Sequence, residues 1–138
     1  MVQKRPDRTL GPGHDTFWNG CDRGELRLQR CTGCGTYAWP VVQKCEQCAA
    51  DDLEFQTVSG RGKVVSWCSF VQDYYRGILP VPYDTIMVEL EEGPMFLSNP
   101  HEFGENEIAF GMPVEVAFIA CEDSAGRFQL PVFRKAKV

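Results

Sequence analysis

Alternating apolar and polar positions dominate the second half of the chain and predict β-strands there. Ile86, Val88 and Leu90, for example, would share one face of a strand, with Thr85 and Glu89 on the other face. The predicted strands lie in residues 60–72, 85–90, 95–99, 113–120 and 127–133. The periodicity alone indicates a small β-barrel or β-sandwich and does not distinguish between them.

The first half of the chain is less regular. Residues 1–13 are polar and rich in glycine and proline, which predicts a flexible lead-in. Phe17, Trp18 and Cys21 follow at a spacing that would place them on one face of a short helix. We therefore expect one short N-terminal helix ahead of the β-rich part of the chain.

Together these patterns predict a mainly β protein. Five strands, with the long connection of residues 99–111 before the fourth, suit a five-stranded Greek-key barrel of the OB type. The predicted segments are a flexible lead-in with a short helix, a cysteine module, a barrel and a tail, in residues 1–25, 26–58, 59–134 and 135–138.

Four of the seven cysteines have the spacing of a metal ribbon. Cys31 and Cys34 form one Cys-x2-Cys pair, Cys45 and Cys48 form another, and ten residues separate the pairs. Four thiolates make the closed tetrahedral shell of a structural zinc site (Zn²⁺), although iron in a rubredoxin-like site is chemically possible. Redox-active pairs or free thiols are the alternatives without a metal. Residues 26–58 are too few to bury a core, so metal binding would stabilise the ribbon.

Composition and charge argue against several classes of protein. The chain has 14 basic and 19 acidic side chains and a net charge of −5, without the basic excess that nucleic-acid binding usually needs. No apolar stretch approaches the ~20 residues of a membrane span, and the N-terminus lacks an apolar signal segment. An odd cysteine count also argues against a secreted disulfide scaffold. We expect a cytoplasmic protein that binds neither nucleic acid nor membranes.

A series of short motifs in a fixed order carries a resemblance to a known family. It opens with Phe17-Trp18 and continues through the two cysteine pairs and the Trp39-Pro40 segment. The later motifs are Gly60-x-Gly62-x-Val64-x-Ser66, Val88-Glu89-Leu90-Glu91-Glu92-Gly93, Gly111-Met112-Pro113-Val114-Glu115-Val116 and Leu130-Pro131-Val132-Phe133-Arg134. Over about residues 14–134 the chain resembles the acyl-CoA-associated zinc-ribbon/OB-fold family.

Two positions depart from the pattern of that family. Many members have an arginine where Val41-Val42 stands here, so a polar contact of that arginine is not expected in this chain. Many members also have a threonine where Cys68 stands, in the first barrel strand. We interpret Cys68, like Cys21 and Cys121, as a buried small apolar residue.

The resemblance implies an accessory subunit with an N-terminal helix, a rubredoxin-like four-cysteine zinc ribbon and an OB-fold barrel. Family members pair with thiolase-superfamily enzymes that transfer acyl groups to CoA or form and cleave carbon–carbon bonds. We therefore expect a catalytic partner, two copies of each chain, coenzyme A or acyl-CoA bound jointly with the partner, and no catalytic residue in this chain. A stand-alone acyl-CoA-binding protein is the alternative, followed by a nucleic-acid-binding ribbon/OB protein.

The settings of the family leave the acyl group open. They include archaeal acetoacetyl-CoA metabolism, steroid side-chain degradation, acylphloroglucinol synthesis and anaerobic toluene degradation. The tyrosine-rich loop of residues 73–84 favours an aromatic or otherwise bulky acyl group, as in the benzoylsuccinyl-CoA thiolases of toluene degradation. Steroid side-chain cleavage is the nearest rival.

Ten residues are predicted to contact the partner or the acyl-CoA. Some are apolar residues of the helix or of the loop, where exposed apolar mass usually marks an interface. Others are basic and could pair with CoA phosphates. The alternatives are a helix packed on its own ribbon, a loop that covers the end of the barrel, and solvated basic side chains. The ten are Phe17, Trp18, Arg61, Lys63, Tyr74, Tyr75, Arg76, Ile78, Leu79 and Tyr83.

Overall fold

The computed structural model describes residues 2–137, and the protein is mainly β in that range. Of the residues described, no helix has the length and apolar character needed to cross a bilayer. The elements are β1 (Gln3–Lys4), α1 (His14–Asp22), β2 (Arg27–Cys31), β3 (Tyr37–Ala38), β4 (Leu53–Thr57), β5 (Arg61–Phe70), β6 (Tyr83–Leu90), β7 (Met95–Ser98), β8 (Pro113–Asp123) and β9 (Gly126–Lys135). The predicted strands correspond to β5 through β9, and the predicted helix corresponds to α1.

Strands β5 to β9 form the barrel in the order of an OB fold. Strand β5 pairs antiparallel with β6, β6 pairs with β7, and β8 pairs with both β5 and β9. The barrel closes where the chain leaving β7 runs parallel to β9. There the N–H of His101 donates to the carbonyl of Phe133 (2.8 Å), and the N–H of Phe133 donates to the carbonyl of Asn99 (3.1 Å). The predicted OB-type barrel is confirmed.

The barrel is split along one side because β5 and β8 pair only at one end. Their pairing runs from Arg61 to Lys63. A bulge after Val64 turns the rest of β5 aside, and within the described chain this part pairs with β6 alone. Strand β1 lies parallel to β8 in the space left open, with Gln3 opposite Cys121. The split leaves room for a groove between β5 and the β1–β8 pair.

The N-terminal segment is held in place, which corrects the expectation of a flexible lead-in. The backbone N–H, Nε and Nη2 of Arg8 donate to the carboxylate of Asp123 over 3.0, 2.7 and 3.1 Å. The Arg8 guanidinium also lies over the ring of Phe128, 4.1 Å from its centroid. Sequence patterns gave no signal for this, because the paired residues are 115 positions apart.

Helix α1 packs across the barrel and shares one core with it. The ring centroid of Phe17 lies 4.4 Å from that of Trp39 in the ribbon and 6.2 Å from that of Phe96 in β7. The carboxylate of Asp22 accepts the N–H of Gln129 in β9 (3.0 Å). The buried side chains of this core are Phe17, Cys21, Leu26, Leu28, Val58, Val64, Ile86, Val88, Leu90, Phe96, Val114 and Phe133.

The ribbon is a second, three-stranded antiparallel sheet in which β2 lies between β3 and β4. Gln29 of β2 is buried and fixes the loop that leads to the second cysteine pair. Its Nε2 donates to the carbonyl of Val42 (2.9 Å), and its Oε1 accepts the N–H of Val42 (2.8 Å). These two bonds satisfy the buried amide of Gln29 and use the backbone of Val42, one of the two positions where many family members were expected to carry arginine.

Candidate metal centre and docking surface

The four clustered cysteines bring their sulfurs to one point. All four Sγ atoms lie within 4.8 Å of one another. The Sγ atoms of Cys31 and Cys48 are 3.6 Å apart, and those of Cys34 and Cys45 are 3.5 Å apart. Four sulfurs around zinc, with Zn–S bonds of about 2.3 Å, have tetrahedral edges of about 3.8 Å. A disulfide would bring two sulfurs to about 2.05 Å, so the arrangement fits a tetrahedral ion and not two disulfides.

Each cysteine pair is held by a tight turn. The N–H of Gly35 donates to the carbonyl of Cys31 (2.8 Å), and the N–H of Ala49 donates to the carbonyl of Cys45 (2.9 Å). Both donor residues have left-handed backbone, with φ of 79° at Gly35 and 61° at Ala49. Glycine adopts this conformation without strain, whereas alanine does so at a cost. The turns bring both sulfurs of a pair to the same side of the chain.

Neighbouring groups shift the pKa values of two of the clustered cysteines in opposite directions. The hydroxyl and backbone of Thr36 favour the thiolate of Cys34 and lower its pKa to about 6. The backbone of Ala50 favours the thiolate of Cys48, but the neighbouring cysteine sulfurs oppose its ionisation and raise its pKa to about 12. Like charges at this separation repel, so four thiolates can coexist only around a cation. The donor set therefore suits a soft divalent metal.

The other three cysteines stand apart from the cluster. Cys21 and Cys121 are buried as predicted, and burial raises the pKa of both thiols, that of Cys21 to about 12. The prediction for Cys68 is wrong, because this side chain is exposed and lies beside Thr85, with Sγ and Oγ1 3.2 Å apart. The bulge after Val64 carries this half of β5 away from the core.

The two aromatic residues of helix α1 lie in different environments, one buried in the core and the other half-buried. Phe17 is only 2% exposed and lies in the core, which corrects the prediction that it contacts a partner. Trp18 is half-buried. Its indole N–H donates to the carbonyl of Thr9 (3.2 Å), and its ring packs edge-on against Phe128 at 5.3 Å. Trp18 stays a predicted contact residue.

The apolar loop between β5 and β6 is largely open to solvent. Tyr74 is 65% exposed, and Tyr75 and Ile78 are also exposed. Leu79 and Tyr83 are half-buried, and each lines grooves on both sides of the loop. The loop thus contains exposed apolar residues together with half-buried residues that line two grooves.

Apolar neighbours that the sequence analysis missed enlarge this surface. Leu97 of β7 is 61% exposed beside the loop, between the buried residues Phe96 and Ser98. The alternation in β7 was a usable signal, since it assigns Leu97 to the outer face. We call the exposed apolar residues of this region the tyrosine-loop surface: Trp67, Val71, Tyr74, Tyr75, Ile78, Val81 and Leu97.

Two grooves flank the loop. The larger, of about 950 Å³, lies in the split of the barrel and contains Trp67, Ile119 and Leu130. The smaller, of about 410 Å³, lies between the loop, the outer face of β6 and β7, and the N-terminal segment. Arg5 lines both grooves. Both volumes fall within the range of ligand sites in proteins.

The three predicted basic contacts do not form one site. Arg61 and Lys63 lie at the start of β5, where Lys63 Nζ is 3.4 Å from a carboxylate oxygen of Glu89. Arg76 lies in the loop that follows the other end of β5. A strand rises about 3.3 Å per residue, so the backbone of β5 at Lys63 and its end at Phe70 lie about 20 Å apart. Only Arg76 belongs to the neighbourhood of the tyrosine-loop surface.

Two family models match the chain in succession. The model described as "ChsH2, rubredoxin-like zinc ribbon domain" matches residues 18–54, which include the four clustered cysteines. The model described as "ChsH2, C-terminal OB-fold domain" matches residues 55–118, which include most of the barrel. The order of the two domains agrees with the order of the two observed sheets.

Known proteins resemble the chain over different shares of their length. The 3-oxo-4,17-pregnadiene-20-carboxyl-CoA hydratase alpha subunit of Mycobacterium tuberculosis is 33% identical over 122 residues, which span 86% of this chain and 39% of that protein. A DUF35 domain-containing scaffold protein of Pyrococcus furiosus is 32% identical over 87 residues, 59% of this chain and 60% of that protein. A chain in a solved structure described as "Ltp2-ChsH2(DUF35) aldolase" superimposes with a TM-score of 0.81 at 26% identity, covering 95% of this chain and 100% of that chain. The chain belongs to the ChsH2/DUF35 family, in which a zinc ribbon precedes an OB-fold domain.

Proposed function

We propose that this chain is the non-catalytic accessory subunit of a thiolase-superfamily enzyme that acts on an acyl-CoA thioester. The partner would carry the groups that transfer the acyl group to CoA or form and cleave the carbon–carbon bond. This chain would hold the partner and help to complete its acyl-CoA site. The observation that carries the proposal is the likeness to one chain of the Ltp2-ChsH2(DUF35) aldolase, which extends over 95% of this chain.

The names of the relatives support a role beside a catalytic protein. One relative is named as an alpha subunit of a hydratase of a CoA thioester, and another is named as a scaffold protein. The match spans 39% of the hydratase subunit, so the hydratase activity of that whole protein is not carried over here. The proposal takes two features from these relatives: association with an enzyme, and an enzyme that acts on a CoA thioester.

The tyrosine-loop surface supports a docking role. Tyr74 and Leu97 are more than half exposed on neighbouring elements. Contiguous exposed apolar patches mark interfaces in proteins of this size, and tyrosine is among the residues enriched there. If CoA is bound jointly with the partner, Arg76 is the predicted basic residue best placed to meet its phosphates, because it lies in the same loop.

The metal centre would act as a structural support. We infer that Cys31, Cys34, Cys45 and Cys48 hold Zn²⁺ in a closed shell with no position open for substrate. The ion would replace the apolar core that the ribbon is too small to build, and would fix the ribbon against helix α1. No cysteine of the described chain forms a disulfide, which suits a reducing compartment such as the cytoplasm.

A second candidate is a stand-alone acyl-CoA-binding protein, which the two grooves beside the loop favour. It would show affinity for CoA thioesters without any partner. Nucleic-acid binding is a weaker third candidate, because the net charge of −5 opposes binding to a phosphate backbone.

Affinity purification of the tagged chain from its source cells tests the proposal. We expect a thiolase-superfamily protein to be retained, and we expect the retained complex to turn over an acyl-CoA thioester. A retained hydratase would keep the accessory role and overturn the thiolase assignment. A chain that emerges alone and binds acyl-CoA would support the second candidate instead.

A further inference from the structure

Arg5 carries a positive charge between the two grooves without an acidic partner. Its Nη2 donates to the side-chain carbonyl of Asn99 (3.1 Å), and its backbone N–H donates to the carbonyl of Glu122 (2.9 Å). Among residues 2–137, no carboxylate oxygen lies within 4.0 Å of its guanidinium nitrogens. The remaining N–H groups of the guanidinium have no partner in the described chain.

The surroundings of Arg5 favour an anion there. Burial lowers the pKa of Arg5 from its ordinary value, but arginine stays protonated at any physiological pH. The free N–H groups of Arg5 are accessible to solvent. The buried side-chain nitrogen and oxygen atoms that lack a hydrogen-bond partner in the described chain belong to Arg27, Glu92 and Arg134 instead. The free N–H groups of Arg5 open into the grooves, and a partly buried cation without a counter-ion is a natural anchor for an anion.

The other charged groups of the smaller groove are already engaged. Arg8 is held by both carboxylate oxygens of Asp123. The carboxylate of Asp7, which also lines this groove, accepts the N–H of Ser124 (3.1 Å) in the β8–β9 turn. Arg5 is therefore the cation of this groove that remains available to a ligand.

Six aromatic residues line the smaller groove together with Arg5. Rigid flat rings suit a planar apolar body, while the forked guanidinium suits the two oxygens of a carboxylate. At about 410 Å³ the groove is large enough for a small organic acid. The aromatic residues of the wall are Trp18, Phe70, Tyr74, Tyr75, Tyr83 and Phe128.

We propose that this aromatic groove binds the carboxylate of an organic acid with a ring-bearing apolar body, and that Arg5 is its anchor. The site goes beyond the accessory role, because all of its residues belong to this chain. Three of them, Tyr74, Tyr75 and Leu97, also belong to the tyrosine-loop surface. An acidic side chain of a partner protein would offer the same carboxylate chemistry, so the test separates a free acid from a partner.

The direct test is a titration of the isolated full chain with 3-phenylpropionate, followed by NMR. We expect saturable shifts of the Arg5 Nε–H and Trp18 indole N–H signals, and at least about tenfold weaker binding of the uncharged 3-phenylpropionamide. Arg5→Gln should reduce the affinity for the acid by a similar factor. Arg127→Gln is the matched control, since it removes an arginine whose side chain is 77% exposed on β9, and should leave the affinity unchanged.

A second pair of variants keeps the test decisive if Arg5→Gln fails to fold. Leu97→Glu places a negative charge at the exposed rim of the groove and should weaken binding of the acid, whereas Leu97→Gln should not. The proposal is overturned if no saturable shift appears, or if the amide binds as well as the acid. It is also overturned if the acid does not bind while Arg5→Gln disrupts the complex purified from cells, because the anion then belongs to the partner.

Discussion

At the residue scale, the pair formed by Arg8 and Asp123 fastens the N-terminal segment to the barrel. Both carboxylate oxygens are engaged, and the Asp123 side chain is 1% exposed. We predict that Arg8→Met lowers the free energy of unfolding by about 2 kcal/mol, because it removes the hydrogen bonds that the Arg8 guanidinium donates to the Asp123 carboxylate. Arg127→Met is the control: its pair with Glu122 is long (3.7 Å) and exposed, so the change should stay below about 0.5 kcal/mol. Urea titrations of the two variants measure the difference.

The same pair predicts how stability depends on pH. Hydrogen bonds from Arg8 hold the pKa of Asp123 well below its usual range. A carboxyl group whose pKa is lower in the folded state than in the unfolded state stabilises the fold above about pH 4, and this contribution is lost as the pH falls further. Between pH 6 and pH 3, the urea midpoint of the wild type should therefore fall more than that of Arg8→Met. Equal falls in the two proteins would contradict the assignment.

At the scale of elements, the ribbon depends on its metal. Cys45→Ser removes one of four ligands, and we expect loss of bound zinc, unfolding of the ribbon and loss of the partner complex. Cys68→Ser is the matched control, because Cys68 is an exposed thiol outside the cluster. Metal analysis, circular dichroism and co-purification report the three effects. A Cys45→Ser protein that retained one zinc and still assembled would show that the ion is not a structural support.

At the scale of the whole molecule, docking should depend on the tyrosine-loop surface. We predict that Tyr74→Ser weakens binding of the partner by about tenfold or more, since exposed tyrosines at interface centres carry much of the binding energy. Phe110→Ser is the control, because Phe110 is 74% exposed but lies outside both grooves. Binding of the purified partner to each variant by calorimetry gives the comparison. Equal losses in both variants would move the docking surface elsewhere.

What could be predicted from the sequence was local chemistry. The spacing of Cys31 and Cys34 relative to the second pair indicated the metal cluster, and period-two alternation located the barrel strands. The missed features depend on contacts between distant positions or on an irregularity within a strand. Arg8 meets a residue 115 positions away, and the bulge after Val64 exposes Cys68. Phe17 joins the core because of how α1 lies on the barrel, and a helical pattern cannot reveal that orientation.

The central claim is that this chain works as a subunit of a larger enzyme, and native mass spectrometry of the tagged chain purified from its source cells tests it most directly. We predict an assembly that contains a second protein, with two copies of each chain as its simplest symmetric form. Dissociation in the spectrometer should release a thiolase-superfamily chain beside this one. A spectrum that shows this chain alone, at salt and protein concentrations close to those in the cell, would contradict the claim.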